Sequence, residues 1–140
     1  MAVTDAKAPK IPLLCPQGKS FVRVIRLKAA DPNDPLASIP WDLTGYTARC
    51  EVRSKLPSES SVPGDADVLL TLTTENGGIE IVPVDGKVLL FIDPVTTASF
   101  DLGTYFWELE LVSPSGFVPY FMTPSKFKVV SENTLTGDTI

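Results

Sequence analysis

The 140-residue chain has no histidine and only two cysteines, Cys15 and Cys50. Without histidine the usual base that activates a serine or cysteine nucleophile is missing, and the serines between Ser54 and Ser61 show no nucleophile-elbow spacing. Two thiols far apart in sequence, with no imidazole to join them, exclude a zinc site. No glycine-rich phosphate loop occurs. Basic residues are also scarce: 12 Lys and Arg against 17 Asp and Glu leave a net charge of -5. Phosphate backbones and anionic membrane surfaces repel such a chain, so neither nucleic acid nor a membrane is an expected partner. Long apolar runs are missing too. The first fourteen residues are interrupted by Asp5, Lys7, Pro9, Lys10 and Pro12, which suits neither a signal peptide nor a membrane span. A chain that starts in the cytoplasm keeps its thiols reduced, with Cys50 expected inside a strand; sheet geometry would allow a Cys15–Cys50 bridge, but a reducing compartment opposes it. The acidic loops Asp31 to Asp34 and Asp65 to Asp67 lack the alternating ligand pattern of a calcium loop and read as solvated turns. No metal or cofactor is expected.

What is present points to strands. Hydrophobic residues make up 44% of the chain, enough for one core at this length, and thirteen prolines and nine glycines are scattered between short β-branched and aromatic runs. That pattern suits many short strands joined by turns and predicts a single all-β domain. The domain is read as residues 16–130, preceded by an arm, 1–15, and followed by a polar tail, 131–140, that has little reason to fold alone.

The first predicted strand is Phe21 to Leu27, after the turn Pro16-Gln17-Gly18. A surface loop follows, broken by Pro32 and Pro35 and running to about Pro40. From Tyr46 to Arg53 the alternation is clean: Tyr46, Ala48, Cys50 and Val52 face the core, and Thr47, Arg49, Glu51 and Arg53 face solvent. Pro57 to Asp67 reads as a mobile polar loop and Val68 to Thr73 as a strand. The turns Asn76-Gly77-Gly78 and Asp85-Gly86 flank the strands Ile79 to Val82 and Lys87 to Ile92. Asp93-Pro94 has the form of an N-cap followed by proline at the first helical position, predicting a helical turn over Val95 to Phe100 that Gly103 ends. Thr104 to Val112 is predicted as a central strand with Tyr105, Trp107, Leu109 and Leu111 inward. A hairpin partner is expected over Phe117 to Met122, and Lys126 to Val130 closes the sheet.

Asp101-Leu102-Gly103-Thr104-Tyr105 is the most informative local pattern. An aspartate and a tyrosine four apart, bracketing a glycine at the mouth of a strand, resemble the tyrosine corner of immunoglobulin-like sandwiches. A plain glycine turn before a strand that begins with tyrosine is the alternative; on either reading Asp101, Gly103 and Tyr105 are structural. Glu108 and Glu110 share a strand face, but their neighbours read as solvent-facing. Cross-strand ion pairing with Arg49, Glu51 and Arg53 explains them more economically than acid/base catalysis. Trp41, Phe117, Tyr120 and Phe121 read as core or interface aromatics, with Trp41 and Tyr120 the candidates for a surface platform that could stack on a sugar ring.

The order of several short motifs resembles a family of small structural proteins of tailed bacteriophages. The residues that carry the likeness are Gln17 to Phe21, the strand Asp42-Leu43-Thr44-Gly45-Tyr46-Thr47-Ala48-Arg49, the turn Thr73-Thr74-Glu75-Asn76-Gly77-Gly78-Ile79, and Gly103 through Leu111. The likeness covers about Pro16 to Val130. The layout is similar to the N-terminal immunoglobulin-like sandwich of phage baseplate upper proteins, which attach receptor-binding proteins to a tail. It implies an antiparallel β-sandwich with extended N- and C-terminal arms and a non-enzymatic adaptor of the tail, baseplate or neck, oligomeric in the virion and assembled in the host cytoplasm. Other virion proteins would be its partners. A capsid decoration protein and a carbohydrate-binding module are the alternatives. No catalytic residue comes over with the likeness.

Overall fold

The computed structural model describes residues 9–56 and 67–131. The start of the expected arm, residues 57–66 of the polar loop and the tail beyond Ser131 lie outside the described residues. The described chain forms β1 (Leu13–Pro16), β2 (Phe21–Arg26), β3 (Lys28–Asp31), β4 (Asp34–Pro40), β5 (Thr47–Arg53), β6 (Val68–Thr73), β7 (Ile79–Val82), β8 (Lys87–Ile92), the short helix α1 (Pro94–Ser99), β9 (Gly103–Val112) and β10 (Ser125–Val130).

The strands make a five-stranded sheet, β1-β10-β9-β5-β6, facing a three-stranded sheet, β2-β8-β7, while β3 and β4 pair as a separate hairpin. All pairings are antiparallel except β1 with β10, which run parallel from Leu13↔Phe127 to Pro16↔Val130. The fold is an all-β sandwich, and this strand order is immunoglobulin-like connectivity. Its core fills from the inward positions of both layers: Ala48, Cys50 and Val52 on β5, Trp107, Leu109 and Leu111 on β9, and Phe127 and Val129 on β10. Across from them lie Phe21 and Ile25 on β2 and Val88, Leu90 and Ile92 on β8. Phe21 and Phe127 meet across the layers with ring centroids 5.4 Å apart.

Connections between the layers are held by specific bonds. Asp93 caps α1, its carboxylate accepting from Thr96 N at 2.7 Å, and Pro94 follows at the start of the helix. Thr97 is fully buried, and its hydroxyl donates to Lys19 O at 2.8 Å, tying the helix to the turn before β2. The Tyr105 hydroxyl donates back to Asp101 O at 2.7 Å, which makes the expected corner between α1 and β9. Arg23 stacks its guanidinium 4.6 Å from the Phe21 ring and donates to Leu14 O at 2.6 Å, closing the open edge between β2 and β1.

Four expectations need correction. Leu13–Pro16 is a strand of the larger sheet rather than arm, and the fixed structure reaches back further: Ile11 N donates to Ser125 Oγ, and its carbonyl accepts from Trp107 Nε1, both at 2.8 Å. The prolines of the expected 31–40 loop punctuate a hairpin instead. Pro32 lies in the turn between Asp31 and Asp34, and Pro35 lies in a bulge where no ladder donor is required. Residues 117–122 are not a strand, because β9 already has β5 on one edge and β10 on the other. The chain after Val112 is instead folded tightly around the Ser113 hydroxyl, which accepts from Phe117 N at 2.9 Å. Finally, α1 ends at Ser99 with Phe100 as its extended cap, and Gly103, with φ at +146°, opens β9 rather than terminating the helix.

The corner carries a direct test. Tyr105→Phe keeps the ring packed against Phe100, at 5.2 Å between centroids, and removes only the hydroxyl bond. The expected loss is about 1 kcal/mol of unfolding free energy in urea titration, and an unchanged midpoint would mean that the bond does not pin the corner.

Candidate interaction surface

In a sandwich whose sheets each cover one core face, outward positions are expected to be polar. The larger sheet follows this rule in its middle, with Arg49, Glu51 and Arg53 on β5 beside Glu108 and Glu110 on β9. The smaller sheet breaks it. Val22 is paired with Phe91 and Val24 with Leu89, and all four point away from the core. Val22 is 48% and Val24 39% exposed, while Phe91 and Leu89 are half-buried. The stripe ends in the basic pair Arg26↔Lys87, and Glu80 flanks it beside Leu89. Strands apolar on both faces are the pattern of sheets packed on both faces, and among the described residues only the inner face of this sheet is packed.

Beyond Arg26 the chain leaves the sandwich as the β3–β4 hairpin. Its base is fixed by Leu27 N to Gly86 O at 2.8 Å and Trp41 N to Leu27 O at 3.0 Å. Past that base the hairpin pairs with itself: Lys28↔Pro40, Ala29↔Ile39, Ala30↔Ser38 and Asp31↔Asp34. The register shift leaves residues 35–37 unpaired. Leu36 stands in this bulge 97% exposed, and its N–H is held by the Asp34 carboxylate at 3.0 Å.

The expected site residues fall as follows. Asp101, Gly103 and Tyr105 come together in the corner. Trp41 does not form a surface platform: it is only 7% exposed and packs edge-on to Tyr46, with centroids 6.2 Å apart, at the base of the hairpin. Tyr120 is exposed, and its hydroxyl lies 3.5 Å from that of Thr123.

The carboxylates of the larger sheet are less wet than their sequence suggests. Glu51 pairs with Arg53 at 2.6 Å and with Arg49 at 2.9 Å, so these ion pairs run along β5 rather than across strands. The Arg53 and Glu51 side chains are only 15% and 18% exposed. Glu108 stands directly across from Glu51; burial pushes its carboxyl above the usual range, Arg53 opposes this, and Glu110 and Glu51 add to it. The five side chains line a cleft of ≈ 250 Å³.

Both cysteines are free and buried. Burial, reinforced by Glu51 and Glu108, pushes the Cys50 thiol up to about 12, and burial also raises Cys15 against the pull of Arg23. At pH 8 neither thiol is expected to react with a disulfide reagent until the protein unfolds, when two equivalents are released. Rapid labelling of the native chain would contradict this packing. Because the Cys50 value is raised in the folded state, its contribution to stability is whole below about pH 9 and is lost as the pH rises toward about 12.

Among the described residues no group of three or more His, Cys, Asp or Glu side chains could hold a metal ion, and no helix is long and apolar enough to cross a membrane. No protein-family model matches the chain, and no curated protein matches it. The surface features that sequence reasoning missed are the outward stripe and the hairpin. A signal for the first was present in Lys87 to Ile92, where five apolar residues follow one another without alternation.

Proposed function

We propose that the chain is a non-enzymatic structural subunit of a tailed-phage particle, an adaptor of the tail, baseplate or neck that joins or decorates other virion proteins as part of an oligomer. The observation that carries this reading is the outward apolar stripe Val22, Val24, Leu89 and Phe91, on a sheet whose other face already fills the core. Burying such a stripe is favourable at roughly 25 cal/mol per Å² of apolar surface, and assembly is how a small domain achieves it. The immunoglobulin-like connectivity and the tyrosine corner agree with the resemblance to baseplate upper proteins, although a fold alone does not assign a role. The buried Trp41 takes half of the aromatic platform from the carbohydrate-binding alternative.

The test is mass spectrometry of purified particles, in which the protein should appear at a fixed copy number. A low, symmetry-related number indicates a tail or neck station, and a number matching the capsid lattice indicates decoration. Absence from the particle overturns the reading. Val24→Asp places a charge in the stripe while leaving the core untouched, and is expected to fold normally yet fail to be incorporated.

A further inference from the structure

The β3–β4 hairpin has the form of a connector. An isolated two-stranded hairpin is marginal in water, and this one projects from the sandwich with its paired residues largely exposed. Its tip is nonetheless locally organised. Asp31 holds Asn33 N at 2.9 Å and Asp34 holds Leu36 N at 3.0 Å, so the turn and the bulge are both braced by side chains. Bulges re-aim side chains. Here the bulge raises Leu36 as a knob with the carboxylates of Asp31 and Asp34 beside it.

A receptor of matching chemistry exists on the same chain. A cleft of ≈ 360 Å³ is lined by Pro12, Leu56, Phe106 and Pro124, together with the exposed Lys10 and Lys126. Its apolar side chains suit a leucine, and its two ammonium groups suit two carboxylates. The positions also fit. The hairpin base lies close to the start of β5, since Trp41 packs on Tyr46 and Thr47 next to it pairs with Val112, whereas the cleft, lined by Phe106, lies at the other end of that strand, where Arg53 pairs with Phe106. The seven residues of β5 put its ends six steps apart, about 20 Å. Leu36 is almost wholly exposed, so it does not occupy the cleft of its own chain.

We infer that the hairpin of one copy docks into the lysine-bordered cleft of the next, with Leu36 in the apolar part and Asp31 and Asp34 against Lys10 and Lys126. The contact is head-to-tail, because knob and cleft are different patches of one chain. Repetition therefore closes a ring or grows a filament. A hairpin tip in a cleft belongs to the small, weak class of interfaces, so ring closure rather than any single contact gives the assembly its persistence. This inference rests on the reading of the protein as an assembly subunit and specifies how its copies meet.

The test uses the full chain in sedimentation velocity and light scattering from micromolar concentrations up to about 1 mM. The wild type is expected to associate with rising concentration, and less so in high salt. Leu36→Asp removes the knob, and Lys126→Glu reverses one charge of the cleft; both positions are exposed, and each variant alone is expected to be monomeric with unchanged circular dichroism and melting temperature. Mixing the two is decisive. The Lys126→Glu chain keeps a knob and the Leu36→Asp chain keeps a cleft, so together they are expected to form a complex that stops at two chains. A wild type that stays monomeric throughout, association that survives Leu36→Asp, or variants that fail to complement each other would each overturn the head-to-tail contact. None of these outcomes bears on whether particles contain the protein, so the two readings fail separately.

Discussion

Trp107→Ala is expected to lower the unfolding free energy by about 3–5 kcal/mol, a large share of the roughly 5–15 kcal/mol that a folded domain commonly possesses. Trp107 is 1% exposed and sits mid-strand on β9, opposite Val52 on one side and Ser125 on the other. Its removal leaves a cavity between the sheets that the ladders on both sides cannot collapse to fill. The indole N–H also holds Ile11 O at 2.8 Å, so the same substitution releases the segment leading into β1. Trp107→Phe separates the two effects: it keeps most of the volume, loses the bond, and is expected to cost clearly less. Urea denaturation followed by far-ultraviolet circular dichroism measures both, with Trp41 fluorescence as an independent probe. A loss for the alanine variant of under about 1 kcal/mol would show that the core repacks around the gap.

The second large effect is expected at Gly86. This residue has φ at +63°, and a methyl group placed on it would lie 2.6 Å from Leu27 O and 2.9 Å from both Trp41 N and Trp41 O. All three neighbours are backbone atoms of the hairpin base, held by the Leu27–Gly86 and Trp41–Leu27 bonds. They cannot retreat without breaking those bonds. Gly77 is the natural control, with φ at +84° and open space where its methyl group would go. Gly77→Ala is expected to cost about 1–2 kcal/mol from backbone strain alone. Gly86→Ala is expected to exceed it, at about 3 kcal/mol, and to raise amide exchange at Leu27 and Trp41. Equal losses for the two variants would mean that the close approach at the hairpin base is not what requires glycine.

The elements that were legible from sequence are those whose signals are local. Clean period-two alternation located β5 and β9 with the correct inward faces, paired glycine turns bounded β7 and β8, and an aspartate-proline step marked the helix. Asp101 and Tyr105, four residues apart, form a bond that depends only on that spacing. What sequence hid depends on neighbours distant along the chain. Residues 117–122 have the apolar content of a strand, yet both edges of β9 are taken by strands whose identity is settled only by the fold. Trp41 reads from sequence as a core or interface aromatic and equally as a candidate for a surface platform, and only the fold decides: it is buried because the hairpin base closes over the turn at Gly86. Leu13–Pro16 is too short to announce a strand and becomes one by lying parallel to β10. Prolines mark both loops and hairpin bulges, and only pairing tells them apart.

The parallel pairing of β1 with β10 also determines how the domain responds to force. Tension pulling the chain before Leu13 and the chain after Val130 in opposite directions runs along these two neighbouring strands, not across them. The bonds of the ladder from Leu13↔Phe127 to Pro16↔Val130 then share the load and must give way together, whereas an antiparallel pair peeled from one end loses its bonds in turn. The Arg23 bond to Leu14 O braces β1 against the opposite layer at the same place. A link strained along its length thus meets its greatest resistance at the seam where the first and last strands lie side by side.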